Sequence, residues 1–340
     1  MPEKAPDLPV FPDDAVGITS TIPIEVPLAA GLRVIDLNNV FVMSSDPGIF
    51  LRKAEAEGFP RNCCSWIRGI YGLIRTLEIR KVIFVTGGDC SNTQAMMEAL
   101  VPFSEIFATF SYPYPPSPGA LRQEMYRFCA GLGTTFSAAE GVSKSLHSVR
   151  RALGELDLLT WDGNRVTGKE NHQWLVSSSD FGGDPVSFER RLKAFLDSAR
   201  SRPVRPKGLR IGLVGVPPII TDLHEFVESL GAQVVYNEIP RQFSMPESCH
   251  DLVGGYLAYT YPYGAWPRLD DIRKQVDLRK LHGLIHYTQA FCHRQIHDMI
   301  FRHEIHVPIL TLEGEIPGPC DPRTKLRIES FIEILKEKFG

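Results

Sequence analysis

Residues 283–323, GLIHYTQAFCHRQIHDMIFRHEIHVPILTLEGEIPGPCDPR, join two strand patterns and one helix pattern with almost no intervening residue. The short apolar run at the start predicts a buried parallel strand, and a helical pattern begins directly after Cys292. In open α/β sheets, ligands bind just outside the carboxyl ends of the strands, where the next helix presents unpaired N–H groups. We therefore expect Cys292 to be part of the reactive centre.

The composition indicates a globular protein of two domains. The chain has 340 residues, of which 43% are hydrophobic and 23% are charged, and this length suffices for two ordinary domains. The formal net charge of -3 provides no basic field for nucleic acid or for an anionic membrane. The sequence contains neither an apolar run of about 18 residues nor a secretion signal. We expect a cytoplasmic protein that binds neither nucleic acid nor membranes.

Composition and pattern divide the chain into three parts. Residues 1–30 are proline-rich with little periodicity, which is typical of an extended N-terminal arm. Residues 31–200 are predicted to form a first α/β lobe with a helical extension, and residues 201–340 a second α/β lobe. The boundary lies in the polar, basic and proline-broken stretch 201–208. Seven strand patterns alternate with helix patterns, which predicts parallel sheets with right-handed crossovers.

The two predicted lobes resemble each other. In the first lobe, residues 81–100 form a strand pattern, a glycine turn, Cys90 and a helix pattern, which repeats the arrangement around Cys292. The segments Ser111-Tyr112-Pro113-Tyr114 and Thr260-Tyr261-Pro262-Tyr263 also correspond. We interpret the chain as two related lobes that face a shared cleft.

Cysteines are the first candidates for chemistry. The chain has seven of them, at positions 63, 64, 90, 129, 249, 292 and 320. An odd number without a secretion signal argues against a disulfide scaffold and leaves metal binding or redox chemistry open. Cys64 (or Cys63), Cys90 and Cys292 form the set of interest, because thiolates are soft ligands that select iron–sulfur clusters, zinc or copper(I). The alternative is that these cysteines only fill the core.

Histidines close to Cys292 in the sequence are further candidates for chemistry. His293 and His297 share a helix face, yet Arg294 occupies the place of the general base in the zinc-protease motif H-E-x-x-H. That excludes the protease, whereas a zinc site formed by Cys292 and histidines stays open. His286 and His293 are candidates for proton handling.

Two polar strand ends could handle substrate. Glu313 and Glu315 follow a strand, which suits general acid–base work or the positioning of a substrate, although such acids are often solvated. Glu238 and Arg241 follow another strand, and Arg241 could hold a carboxylate or phosphate, with a surface ion pair as the alternative. The glycine pairs of the chain form no nucleotide-binding motif.

Together these motifs resemble the 2-hydroxyacyl-CoA dehydratase D-component and benzoyl-CoA reductase family. The resemblance covers about residues 30–340 and rests on three sets: Asn62-Cys63-Cys64-Ser65-Trp66, Thr86-Gly87-Gly88-Asp89-Cys90, and Phe291-Cys292 with Leu312-Glu313-Gly314-Glu315. It implies two Rossmann-like (flavodoxin-like) lobes and an iron–sulfur cluster, [4Fe-4S], held in the cleft by Cys64, Cys90 and Cys292. Related double-cubane proteins carry an [8Fe-9S] cluster, for which Cys63 and Cys320 are the additional candidates.

The resemblance also implies a function. Such a lyase or oxidoreductase, or a subunit of one, would use single low-potential electrons from an ATP-dependent iron–sulfur activator protein under anaerobic conditions. It would dehydrate or reduce an acyl-CoA or other small-molecule substrate, as a homodimer or as a heterodimer with a related subunit. His286, His293 and Glu313 would move protons, and Glu238, Arg241 and Glu315 would bind substrate. The alternatives are a double-cubane reductase of small molecules, a non-catalytic cluster-binding protein and a zinc hydrolase.

Overall fold

The computed structural model describes residues 9–247 and 251–339, so that Cys249 lies outside the described residues. The chain divides into two compact units, Met1–Lys144 and Ser145–Gly340. Each unit contains one four-stranded sheet in which every strand pair is parallel. The predicted α/β class with parallel sheets is therefore confirmed.

From residue 9 onward, where the description begins, the first unit contains four strands and seven α-helices. The strands are β1 (Ala15–Ile18), β2 (Arg33–Asp36), β3 (Lys81–Gly87) and β4 (Glu105–Ser111). The helices are α1 (Glu25–Ala29), α2 (Leu37–Met43), α3 (Gly48–Ala56), α4 (Ser65–Thr76), α5 (Ser91–Leu100), α6 (Pro118–Gly131) and α7 (Phe136–Ser145). The strand order is β2-β1-β3-β4.

Strand β1 corrects the prediction of an extended arm over residues 1–30. It lies between β2 and β3 in the sheet, with Val16 opposite Val34 and Ile18 opposite Ile83. All four of its residues are buried. A four-residue run among prolines is too short to show a periodicity, and only its pairing partners reveal that it is a strand.

The described residues of the second unit form four strands and nine α-helices. The strands are β5 (Leu209–Gly215), β6 (Ala232–Asn237), β7 (Gly283–Gln289) and β8 (Ile309–Gly314). The helices are α8 (His147–Trp161), α9 (Gly168–Val176), α10 (Pro185–Ser201), α11 (Leu223–Ser229), α12 (Glu238–Phe243), α13 (Leu252–Ala258), α14 (Ala265–Arg279), α15 (His297–Glu304) and α16 (Pro322–Phe339). The strand order is β6-β5-β7-β8.

The boundary between the units differs from the predicted one at residues 200 and 201. Helices α8 and α9 belong to the second unit because buried polar contacts connect them to its sheet, and α10 packs against α8. The Arg279 side chain, 2% exposed, donates to Asp157 on α8 over 3.0 Å and to the backbone carbonyl of Val235 on β6. Asn237 donates to Asn171 on α9 over 2.8 Å. The prolines and glycines that suggested a boundary at residues 201–208 do not reveal such contacts between distant segments.

Both sheets have the same strand order, which corresponds to the flavodoxin-like order 2-1-3-4. In such sheets the order reverses between the first and third strands, here β1 and β3 in one unit and β5 and β7 in the other. Ligands bind outside the carboxyl ends of the strands at this reversal. We therefore expect ligand-binding residues in the turns that follow β3 and β7. No helix in the described part of the chain is long and apolar enough to cross a membrane.

Candidate active site

Cys90 and Cys292 occupy equivalent positions in their units. Cys90 follows β3 and directly precedes α5, with φ -74° and ψ 135°. Cys292 follows β7 and directly precedes the 3₁₀ turn His293–Ile296 that leads into α15, with φ -84° and ψ 129°. Each connecting turn contains one left-handed residue, Gly88 with φ 82° and Phe291 with φ 63°. The repetition that the sequence predicts is present in the backbone of each unit.

Cys64 has the same local conformation without a preceding strand. It directly precedes α4 with φ -51° and ψ 134°, and it is 7% exposed. Its neighbour Cys63 is half-buried and lines a cavity of about 470 Å³ in the first unit, together with Tyr71 and Met96. Burial raises the pKa of the Cys63 thiol. The structure thus distinguishes the two adjacent thiols, and Cys64 is the one that resembles Cys90 and Cys292.

The helix starts give these three cysteines a common electrostatic setting. Unpaired N–H groups in a first helical turn carry partial positive charge, which favours a thiolate over a thiol. Among residues 9–247 and 251–339, no three or more His, Cys, Asp or Glu side chains form a group that could hold a metal ion. Because Cys64 and Cys90 belong to one unit and Cys292 to the other, their joint role as ligands stays a prediction.

The remaining described cysteines are in less favourable settings. Cys129 is buried on α6, and burial raises the pKa of its thiol. Cys320 is 5% exposed, and its backbone N–H donates to the Asp222 carboxylate over 2.6 Å. Burial and this carboxylate raise the pKa of the Cys320 thiol to about 12. Since a metal ligand must be a thiolate, this environment argues against Cys320 as an additional ligand.

A cavity of about 750 Å³ lies at the carboxyl ends of β7 and β8. Its lining includes both predicted loop acids, Glu313 and Glu315, and two arginines of α16, Arg323 and Arg327. Hydroxyl and amide groups complete a polar wall, contributed by Thr288, Gln295, Thr311 and Thr324. Gln295 donates to Glu313 over 3.0 Å, which connects the segment after Cys292 with the end of β8. This cavity can receive a polar or charged small molecule.

His286 lies beneath the cavity. Its side chain is 1% exposed, and its Nδ1 is 2.7 Å from Oδ1 of Asp298. Asp298 lines the cavity, and it also accepts from Thr311 and from Arg302, each over 2.6 Å. The hydrogen bond from His286 and the other two lower the pKa of Asp298 against the effect of burial. Asp298 therefore connects the buried His286 with the cavity.

His293 and His297 have different surroundings. His293 is exposed. His297 is partly buried and its Nδ1 is 3.1 Å from Nη1 of Arg268, an obligate donor, so Nδ1 acts as an acceptor and the ring is neutral. Burial, followed by the charge of Arg268, lowers the pKa of His297 to about 3. The two histidines therefore do not act as an equivalent pair.

Glu238 and Arg241 have partners inside the second unit. They lie on helix α12, which begins directly after β6 ends, so that they follow a strand as predicted. Arg268 donates to both carboxylate oxygens of Glu238, over 2.6 and 2.8 Å, and the two side chains are 0% exposed. Arg241 donates to Asp271 over 3.1 Å. Neither Glu238 nor Arg241 belongs to the residues that line the cavity, and their binding of substrate stays a prediction.

The sequence interpretation missed Asp298, which lines the cavity, and the burial of Arg294. Asp298 was not singled out, although it lies on the first turn of α15 and contacts two neighbouring strands. The sequence signal for Asp298 was the pair of strands β7 and β8. His286 and Thr311, which both contact Asp298, stand directly opposite each other in these strands. In the sequence, Arg294 served only to exclude a protease motif. In the structure it is a buried cation, with 7% of its surface exposed.

Comparison with known proteins agrees with the resemblance drawn from the motifs. A family model described as 2-hydroxyglutaryl-CoA dehydratase, D-component, matches residues 19–335. No curated protein matches the chain. The matched range includes seven of the eight strands and all the candidate cysteines, histidines and carboxylates described above. The chain therefore belongs to the 2-hydroxyglutaryl-CoA dehydratase D-component family.

Proposed function

We propose that the protein is the iron–sulfur subunit of a 2-hydroxyacyl-CoA dehydratase-like enzyme, with Cys64, Cys90 and Cys292 as cluster ligands. The observation that carries this proposal is their common backbone setting, an extended residue directly before a helix. That setting supplies N–H groups and partial positive charge to a thiolate. Cys63 and Cys320, in contrast, have thiols whose pKa values are raised.

The donor set fits an iron–sulfur cluster. Three thiolates are the soft ligands that such clusters prefer, and a cubane with three protein ligands leaves one iron open. When bound, the cluster would supply single low-potential electrons and one Lewis-acidic iron. The helix starts behind the ligands would offset part of its negative charge. These properties match the chemistry of radical dehydration or of reduction without a hydride donor.

The chain's own residues would hold the substrate in the cavity beside α15. Arg323 and Arg327 suit the anionic groups of an acyl-CoA, because guanidinium binds carboxylate and phosphate oxygens in pairs. Glu313, near the end of β8, and Glu315, just after it, suit proton transfer and orientation of a hydroxyl group. Asp298 would stay ionised and hold His286 in one orientation. His293, exposed beside Cys292, is the remaining candidate for proton transfer.

The proposal also includes partners. The chain has no nucleotide-binding motif, so that ATP would be hydrolysed by a separate iron–sulfur activator protein that donates the electron. A related subunit would complete a heterodimer, or a second copy a homodimer. A cluster with an open iron is sensitive to oxygen, which suits an anaerobic cytoplasm.

The test is anaerobic purification of the wild type and of single Cys→Ala variants, followed by iron and sulfide counts and EPR of the reduced protein. Cys64→Ala, Cys90→Ala and Cys292→Ala should each lose most of the iron. Cys129→Ala is the matched control, because this buried cysteine lies within the α6 core, and it should keep its iron. Full iron in Cys292→Ala together with loss of iron in Cys129→Ala would refute the assignment.

The same measurement separates the alternatives. A double-cubane reductase of small molecules would carry about twice the iron of a single four-iron cubane, and Cys63→Ala or Cys320→Ala would then lose iron as well. A zinc hydrolase would be colourless and would retain zinc after aerobic purification. A non-catalytic cluster-binding protein would give the EPR signal but no turnover with any activator and acyl-CoA.

A further inference from the structure

Arg294 is a buried cation without a counterion. Its side chain is 7% exposed, Nη2 donates to the backbone carbonyl of Tyr261 over 3.2 Å, and the guanidinium lies 4.5 Å from the centre of the Tyr261 ring. Nη1 is buried and has no hydrogen-bond partner. In the part of the chain that the structure describes, no carboxylate lies within ion-pair distance of Arg294. A buried charge in this state is costly unless an anion meets it.

The other deeply buried arginines of the second unit show what is unusual about Arg294. Arg268 is held by both oxygens of Glu238, and Arg279 contacts both oxygens of Asp157. Each of these guanidinium groups has an acidic partner supplied by the same unit. Arg294 therefore differs in that none of the described carboxylates of the second unit pairs with it.

The position of Arg294 indicates where that anion belongs. Arg294 lies in the single 3₁₀ turn His293–Ile296, two residues after Cys292. His297, one turn further along, is neutral because it accepts a hydrogen bond from Arg268. The segment that begins at Cys292 thus carries one uncompensated positive charge inside the protein, in addition to the N–H groups of its first turn.

We propose that Arg294 is the counterion of the negative charge at Cys292, and that it raises the reduction potential of the cluster. This inference rests on the proposed function. Each thiolate ligand carries one negative charge, and one-electron reduction adds another to the cluster. A nearby buried cation stabilises the reduced form more than the oxidised form, because the attraction grows with the charge and is weakly screened in the interior. Arg294 is accordingly a positioning and tuning residue, and it does not need to contact substrate.

The test is potentiometric titration of the cluster, followed by EPR, on anaerobically purified full-length protein. Arg294→Gln removes the charge, Arg294→Lys keeps it, and Arg190→Gln removes an exposed arginine of the same unit. We expect Arg294→Gln to keep its iron and to be harder to reduce by at least tenfold in the one-electron equilibrium, which is about 59 mV. Arg294→Lys should recover most of the shift, and Arg190→Gln should match the wild type.

The outcomes separate this inference from the proposed function. Arg294→Gln with full iron and the wild-type potential overturns the inference and leaves the cluster assignment intact. Absence of iron from the wild type overturns both. If Arg294→Gln does not fold, Arg294→Met, which keeps a long unbranched side chain without the charge, takes its place with the same expected shift. Loss of iron from a folded Arg294→Gln protein, with iron restored in Arg294→Lys, supports the requirement for positive charge.

Discussion

The buried pair of Glu238 and Arg268 allows a quantitative test of whether Glu238 acts on substrate or on stability. Both side chains are 0% exposed, and the carboxylate accepts two bonds from Arg268 and one from the Gly215 backbone N–H over 2.8 Å. Glu238→Gln leaves the guanidinium without its negative partner inside the protein. Breaking one side of a buried ion pair costs about 3–5 kcal/mol, and we expect the free energy of unfolding to fall by that amount.

The assay is anaerobic chemical denaturation followed by tryptophan fluorescence. Three of the four tryptophans, Trp161, Trp174 and Trp266, belong to the second unit, and so the signal reports mainly on the unit that contains the pair. For a domain of this size a loss of 3–5 kcal/mol corresponds to a decrease in Tm of about 6–20 °C.

Two comparisons make the result decisive. Glu333→Gln changes an exposed glutamate of α16 and should stay within about 0.5 kcal/mol of the wild type. Replacing both partners, as in Glu238→Leu with Arg268→Met, should recover most of the loss, because a well-packed apolar pair can be as stable as a buried ion pair. If the free energy of unfolding of Glu238→Gln lies within about 1 kcal/mol of the wild-type value, the buried pair does not stabilise the fold as expected. Substrate binding would then become the better account of Glu238.

Two further predictions concern buried titratable groups. Burial lowers the pKa of His224 to about 4, below the unfolded value of about 6.5, so its contribution to stability is complete above pH 6.5 and is lost as the pH falls towards 4. The loss reaches about 3 kcal/mol near pH 4. About 2 kcal/mol of it should be visible in denaturation midpoints between pH 7.5 and pH 5, and this change should be smaller in His224→Asn; equal pH slopes in the two proteins would contradict it. Asp298→Asn removes the charge that orients His286 and should cost about 1.5–3 kcal/mol in the free energy of unfolding, with a wild-type value as the contrary result.

Local patterns in the sequence predicted the elements that position the site. The apolar run 283–287 and the helical pattern after Cys292 appear in the structure where the pattern placed them. Of the two acids predicted to follow a strand, only Glu315 does so, because Glu313 lies within β8. Strand, turn and helix starts depend on residues close together in the chain, and this is why the equivalence of Cys90 and Cys292 was accessible. The family match confirmed the resemblance that these motifs suggested.

Burial and partners were not accessible in the same way. The sequence around Glu238 is the same whether this residue lies in a solvated loop or on a buried helix. Only its contact with Arg268, thirty residues away, shows that it is buried. The contact between Asp298 and His286 likewise depends on how α15 packs on β7. The unit boundary depends on whether α8 and α9 pack on β6, which involves residues separated by more than sixty positions. Such long-range pairings leave no periodic trace in one sequence.

The inner position of β1 has a consequence for how the chain is synthesised. Ile18 leaves the ribosome well before Lys81, the start of the β3 strand beside which it finally lies. During that interval β1 can pair only with β2, which leaves one edge of an apolar strand unsatisfied in the nascent chain. Shortened versions of the protein that begin after residue 19, as the proline-rich composition invites, would lack an interior strand and expose two edges in its place. Expression and purification should therefore retain the N-terminal segment through Ile18.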